Sequence, residues 1–127
     1  MRIATAIFGL DRCVTECNEC HAATLKALRH SLEQGGSYAE PRHLRLLEDT
    51  IEVCAVTVDF VLRHSTSTAF GASVCAQVCH QCADSCARWE NDPLLQACAA
   101  ACRSFGLYCF EMVTGTAEEA VAAETWT

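Results

Sequence analysis

The sequence predicts an all-α protein: an up-down-up-down antiparallel four-helix bundle with a Cys-lined core. Three observations lead there. Apolar positions repeat at intervals of three and four rather than two, the period of a helix and not of a strand. Loop signals at residues 34–41, 63–71 and 90–95 cut the chain into four segments of helix-compatible composition. The links between those segments are short, which favours antiparallel neighbours.

The first helix is expected over residues 4–33, where Cys13, Cys17 and Cys20 share one arc at about 100° per residue. The paired Gly and the Pro of QGGSYAEP, residues 34–41, stop it. The second helix, 41–64, carries the stripe His43, Leu47, Thr50, Cys54, Val58, Val61 and Ser65. With a single thiol, it supplies mainly ordinary core. RHSTSTAFG, residues 63–71, follows, rich in the Ser and Thr that favour caps and turns.

The third helix, 70–90, contains VCAQVCHQCADSCARW, in which Cys75, Cys79, Cys82 and Cys86 stand at i, i+4, i+7 and i+11. They occupy an arc of roughly 60°. In ENDPLL, residues 90–95, Asp92 is a natural N-cap and Pro93 suits the first helical position. The fourth helix, 93–113, then places Cys98, Cys102 and Cys109 on one stripe, with Phe105 in the vacant position. Residues 1–113 read as one bundle domain. Residues 114–127, TGTAEEAVAAETWT, read as an acidic tail.

Glu, Gln, Arg and Asn populate the faces opposite the sulfur stripes, so the cysteines point inward. A buried free Cys is usually a small hydrophobe. Filling a core with Cys in place of Leu or Val forfeits a methylene or two per site, at about 0.8 kcal/mol each. Repeated over three helices, that loss implies a use for sulfur. Eleven cysteines in 127 residues mark a special framework, and an odd count suits full disulfide pairing poorly.

The net charge is −7 with nine Lys plus Arg, and no basic run occurs, which argues against nucleic acid. The longest apolar stretch near the N-terminus, Ile3 to Leu10, is too short to span a membrane and marginal for a signal segment. The expectation is a cytoplasmic protein with reduced thiols.

Ferredoxin clusters use a different spacing, ending in Pro. Structural zinc takes four ligands, commonly from turns, which one straight helix cannot supply. The C-x-x-C pairs Cys17–Cys20 and Cys79–Cys82 lack the α/β context of thioredoxin-like chemistry. Thiolates select Cu(I), which accepts low coordination numbers. Residues at i and i+4 have Cβ atoms about 5–6 Å apart, so their sulfurs can converge on one ion. The expectation is a column of two-sulfur sites along each stripe. Reversible disulfides in a thiol redox or stress-response protein, or a site for another thiophilic metal such as zinc, remain as alternatives. No paired carboxylate or His–Cys dyad suggests an enzyme.

The stretch from Asp49 to Trp89, with its core C-A-x-V-C-x-x-C-A-x-x-C, resembles the cysteine-rich four-helix-bundle copper storage proteins. CVTECNECHAAT from Cys13, V-C-A at Cys54 and A-C-A-A-A-C at Cys98 and Cys102 add to the resemblance, which covers about residues 10 to 112. It implies several Cu(I) ions, no organic cofactor, and a homo-oligomer, often of four bundles; a copper-delivery protein is the further partner expected. Carried over by position, the ligands are Cys13, Cys17, Cys20, Cys54, Cys75, Cys79, Cys82, Cys86, Cys98, Cys102 and Cys109. Leu95, Phe105, Ala72 and Thr24 stand where relatives often have further cysteines, which implies a lower capacity.

With a rise of about 1.5 Å per residue, Cys13, Cys75 and Cys109 fall at one end of the bundle, with Met112 on the same face as Cys109. Met112 is therefore read as a soft relay where copper enters, with His64 nearby. Leu28, Leu47, Trp89, Leu94 and Leu95 gather at the other end as an apolar plug. His21 and His80 read as surface or interface residues, and His30 and His43 carry no signal.

Overall fold

Two of the four helices begin on a carboxylate followed by proline, which sets where the chain turns. In the computed structural model, which describes the backbone of residues 2–115 and the side chains of residues 11–115, α1 spans Arg2–Gln34 and α2 spans Pro41–Leu62. A 3₁₀ turn, Gly36–Ala39, links them, and Gly35 and Gly36 take the left-handed backbone that stops α1. Glu40 caps α2, its carboxylate accepting from the N–H groups of Arg42 at 2.9 Å and His43 at 3.1 Å. Thr68–Ala87 form α3 and Pro93–Thr114 form α4. The expected Asp92 cap is present: Oδ1 accepts from the N–H groups of Leu94 at 3.1 Å and Leu95 at 3.2 Å.

The helix ends differ from expectation by one to three residues. α2 stops at Leu62 because His64 turns to φ 55°, and the Phe60 carbonyl accepts the Ser65 N–H at 2.9 Å. α3 starts within the Ser/Thr-rich stretch, where the Thr68 hydroxyl donates to the Ser65 carbonyl at 2.8 Å. It ends at Ala87, and the Gln96 amide then holds the Trp89 carbonyl at 2.8 Å. The acidic tail lies outside the described residues from 116 onward.

Each helix packs on two neighbours, α1 on α2 and α4, and α3 on α2 and α4, giving the four-helix bundle. Gly106 lets α4 approach α3 closely, since a Cβ there would stand 3.2 Å from Cys79 Cβ. The interior between the helices is sulfur-lined, with Leu47, Val61, Leu95, Phe105 and Met112 as its larger apolar members. On α2 the inward stripe contains Thr57, whereas Val58, expected there, is only partly buried.

One end of the bundle is closed by a polar and aromatic cluster rather than the apolar plug expected. Leu47 and Leu95 are buried, but His43 is fully buried beside them. Its Nδ1 lies 2.8 Å from Ser85 Oγ and its Nε2 lies 3.2 Å from Ser31 Oγ, which ties α2 to α3 and α1. Trp89 lies on the His43 ring at 4.6 Å and stacks on Tyr38 at 4.8 Å. Asp92 Oδ2 then accepts from the Tyr38 hydroxyl at 2.9 Å and pairs with His30 Nε2 at 2.7 Å. His30 and His43, silent in the sequence, are part of this closure.

Burial, followed by the charge of Arg88, lowers the His43 pKa in the folded protein. The unfolded chain takes up that proton near pH 6.5, whereas the folded one resists it. Stability from His43 is therefore complete above about pH 6.5 and declines as pH falls toward the folded pKa. Thermal melts should show Tm falling from pH 7.5 to 5, and His43→Gln should flatten part of that fall. An unchanged slope in the variant would show that His43 does not carry it.

Candidate metal centre

Helical periodicity carries the thiols inward. None of the eleven cysteines forms a disulfide and all are buried, the most exposed, Cys13, showing only 4% of its surface. α1 contributes Cys13, Cys17 and Cys20, α2 contributes Cys54, α3 contributes Cys75, Cys79, Cys82 and Cys86, and α4 contributes Cys98, Cys102 and Cys109. Every sequence-predicted sulfur ligand thus lies in the same interior.

Two trios draw closest. The sulfurs of Cys20, Cys54 and Cys79 lie within 4.8 Å of one another, as do those of Cys82, Cys98 and Cys102. The first trio takes one thiol from each of three helices. The second joins the i, i+4 pair Cys98–Cys102, 4.0 Å apart, to a thiol of α3. The expected i, i+4 spacing is thus present, and helix packing also brings stripes as close to each other as residues within a stripe. Cys54, the lone thiol of α2, completes a trio.

The 3.7 Å contact of Cys20 with Cys102 links the trios, and Cys20–Cys79 within the first is 4.0 Å. An ion centred in a sulfur triangle of about 4.0 Å edge lies about 2.3 Å from each corner, a metal–thiolate bond length. The contacts continue in both directions. Cys75 lies near enough to Cys54 and Cys109 on one side, and Cys86 to Cys82 and Cys98 on the other, to alter one another's acidity. One connected path of sulfur therefore runs from Cys109 to Cys86.

These contacts also set the acidity of the thiols. Cys20 is held well below the ordinary thiol range, first by the hydrogen bond with Cys102 and then by Cys54 and Cys79. Cys75 is lowered first by Cys109, then by Cys54, with the Thr57 hydroxyl adding to it. Cys98 is lowered first by Cys102. The partners move oppositely: Cys54 is pushed up first by Cys17, and Cys102 first by Cys20. Lowered and raised thiols thus alternate along the path. A buried thiolate needs compensating positive charge, and among the described residues no Lys or Arg is buried. A soft cation supplies that charge from outside.

Two hydroxyls interrupt the sulfur lining, and the sequence stripes did not single out the first of them as a contact. Thr24 Oγ1 accepts from the Cys98 thiol at 3.6 Å, lies 3.9 Å from Cys102 Sγ, and donates to the Cys20 carbonyl at 2.7 Å. Thr57 Oγ1 lies 3.1 Å from Cys75 Sγ. Helical phase alone could have found Thr57, which stands at i+3 from Cys54. At the Cys109 end, Cys13 and Cys75 lie close enough to influence its charge, and Met112 is buried on the same helix. His64 is exposed at the neighbouring turn, and His80 is exposed beside Asp84 at 3.5 Å.

The sequence profile of a family described as copper storage protein matches residues 5–114. Among solved structures, the Nmul_A1745 protein from Nitrosospira multiformis is 34% identical, with a TM-score of 0.75, over 84% of this chain and 95% of that one. A Cu(I)-bound copper storage protein, BsCsp3, shares the fold at 24% identity and a TM-score of 0.77, over 83% of this chain and 98% of that one. No curated protein sequence matches the chain.

Replacing Thr24 by Cys is nearly isosteric and puts a sulfur beside Cys98 and Cys102. The Thr24→Cys protein should bind more Cu(I) than the wild type in anaerobic titration, by about one equivalent if each added thiol completes one low-coordinate site. An unchanged endpoint would mean that the Thr24 position lies outside the metal lining.

Proposed function

The chain belongs to the copper storage protein family, and we propose that its eleven cysteines form the store, holding several Cu(I) ions as thiolates inside one bundle. One observation carries this reading: the buried sulfurs, none in a disulfide, form a connected path with two trios at ligand spacing. Copper is cargo here. Each ion that binds displaces thiol protons and supplies the positive charge that buried thiolates require. Thiols without a nearby base or an open loop suit holding better than reacting, so the role is storage without catalysis.

We read Met112 as the soft residue at the mouth, from which copper passes to Cys109, Cys75 and Cys13 before moving inward. The His43–Trp89–Asp92 closure seals the other end. The same reading includes residues 1–113 as the domain, a cytoplasmic setting, a copper-delivery protein, and association of bundles into a homo-oligomer.

Anaerobic titration with Cu(I) against a competing chelator tests the store. The wild type should take up several equivalents tightly, and changing Cys20, Cys54 and Cys79 together to Ser should remove part of that capacity. Uptake of one ion or none by the wild type would overturn the reading. Lowering the pH should weaken binding, since protons compete for the same sulfurs. Met112→Leu should slow loading in stopped flow while leaving the endpoint unchanged, and an unaltered rate would remove Met112 from the path.

A further inference from the structure

The buried threonines differ in where their protons go. Three of the four donate to backbone carbonyls. Thr24 donates to Cys20 at 2.7 Å, Thr50 to Leu46 at 2.9 Å and Thr68 to Ser65 at 2.8 Å. Within a helix such a bond runs to the carbonyl four residues earlier. Thr57 departs from this: its Oγ1 contacts Cys75 Sγ, at 3.1 Å.

The carbonyl that Thr57 would otherwise use, that of Val53, faces the Cys75 thiol, which donates to it at 3.5 Å. The three groups form a chain from hydroxyl to sulfur to carbonyl, and the Thr57 proton is directed at the sulfur. The surroundings are shaped for this contact. Gly71 stands one turn before Cys75 on α3, and a Cβ there would lie 3.2 Å from Thr57 Oγ1. The missing side chain leaves a notch into which α2 inserts the hydroxyl. Thr57 is 1% exposed, so water does not compete for it.

We infer that Thr57 is a positioning residue for copper at Cys75: its hydroxyl donates to the Cys75 sulfur when that sulfur carries Cu(I), and so sets how tightly the ion is held there. The inference rests on the reading of the lining as a Cu(I) store, to which it adds a group that is not itself a ligand. While Cys75 carries a proton, that proton points to the Val53 carbonyl. When Cu(I) binds, a Cu–S bond forms, the S–H bond breaks, the proton leaves to solvent and copper stays Cu(I). The sulfur is then purely an acceptor and more negative than a thiol. The bond from Thr57 becomes charge-assisted, roughly twice as strong as a neutral one.

Partners outside the ligand set typically move metal affinity by about 10- to 100-fold. A neutral hydroxyl oxygen is a poor ligand for soft Cu(I), so Thr57 acts through Cys75 rather than on the ion. Thr24 does not share this role. Its proton is committed to the Cys20 carbonyl, and it meets the Cys98 thiol as an acceptor.

Anaerobic competition with a Cu(I) chelator, followed by the sulfur-to-copper charge-transfer absorbance, tests this on the full chain. Thr57→Val keeps the shape of the side chain and removes the donor. It should take up as many equivalents as the wild type, with part of the competition curve displaced to about tenfold higher free Cu(I). Thr57→Ala should do the same, and circular dichroism should show both variants still helical. Thr57→Ser, which keeps the hydroxyl and loses the methyl, should restore the wild-type curve. A packing role predicts the reverse, with Ser the damaging change and Val the harmless one. In a Cys75→Ala background, Thr57→Val should displace nothing further. Thr50→Val, two turns away on α2, should bind as the wild type does. Uptake of one ion or none by the wild type would overturn the store and this inference with it. A wild type that fills, matched by Thr57→Val across the whole curve, would overturn the inference alone. So would a displacement that persists in the Cys75→Ala background.

Discussion

Sulfur packed into a core that holds no buried Lys or Arg is the constraint on which the rest of the structure depends. A core of leucines would fold this bundle with more apolar burial and no charge to accommodate. The chain instead surrounds its axis with cysteines that share protons with one another, Cys20 and Cys102 on facing helices being the junction. Such a lining is tolerable when protonated and favourable when a soft cation replaces the protons. Folding and metal binding therefore draw on the same atoms: the packing that brings Cys54 of α2 against Cys20 and Cys79 also builds the trio.

The two ends of the bundle show how the constraint is managed. At one, His43 is held neutral between Ser31 and Ser85 and covered by Trp89, so the polar groups there are satisfied without offering a charge to the sulfurs. At the other, Cys13, Cys75, Cys109 and Met112 keep soft atoms close to the bundle's edge. Hydroxyls at Thr24 and Thr57 sit within the lining at sulfur-contact distance. They lower the number of thiols without opening a void.

Much of this was legible in the sequence because the helical period is unbroken over each stripe. Positions 75, 79, 82 and 86 can face only one way on one helix, and Asp92-Pro93 marks a helix start without tertiary help. What could not be read was contact between helices. Phase places Cys54 and Cys79 inward but does not say that they share a trio with Cys20, so two-sulfur sites along single stripes were the natural expectation. His43 stayed silent for a similar reason. A histidine on an inward stripe is informative only when Ser31 and Ser85, 12 residues before it and 42 after it, are seen against its two nitrogens. Thr57 rather than Val58 is the residue turned inward on α2, and it meets α3 at Gly71, where a Cβ would stand 3.2 Å from the Thr57 hydroxyl and 3.0 Å from the Phe60 ring.

On the proposed function, sulfur alone holds the cargo. X-ray absorption at the copper edge of the protein loaded with several equivalents tests it most directly. Storage in this lining predicts Cu(I) with a first shell of two to three sulfurs at a distance near that of other metal–thiolate bonds, about 2.3 Å. A first shell dominated by nitrogen or oxygen, or copper in the Cu(II) state, would contradict it.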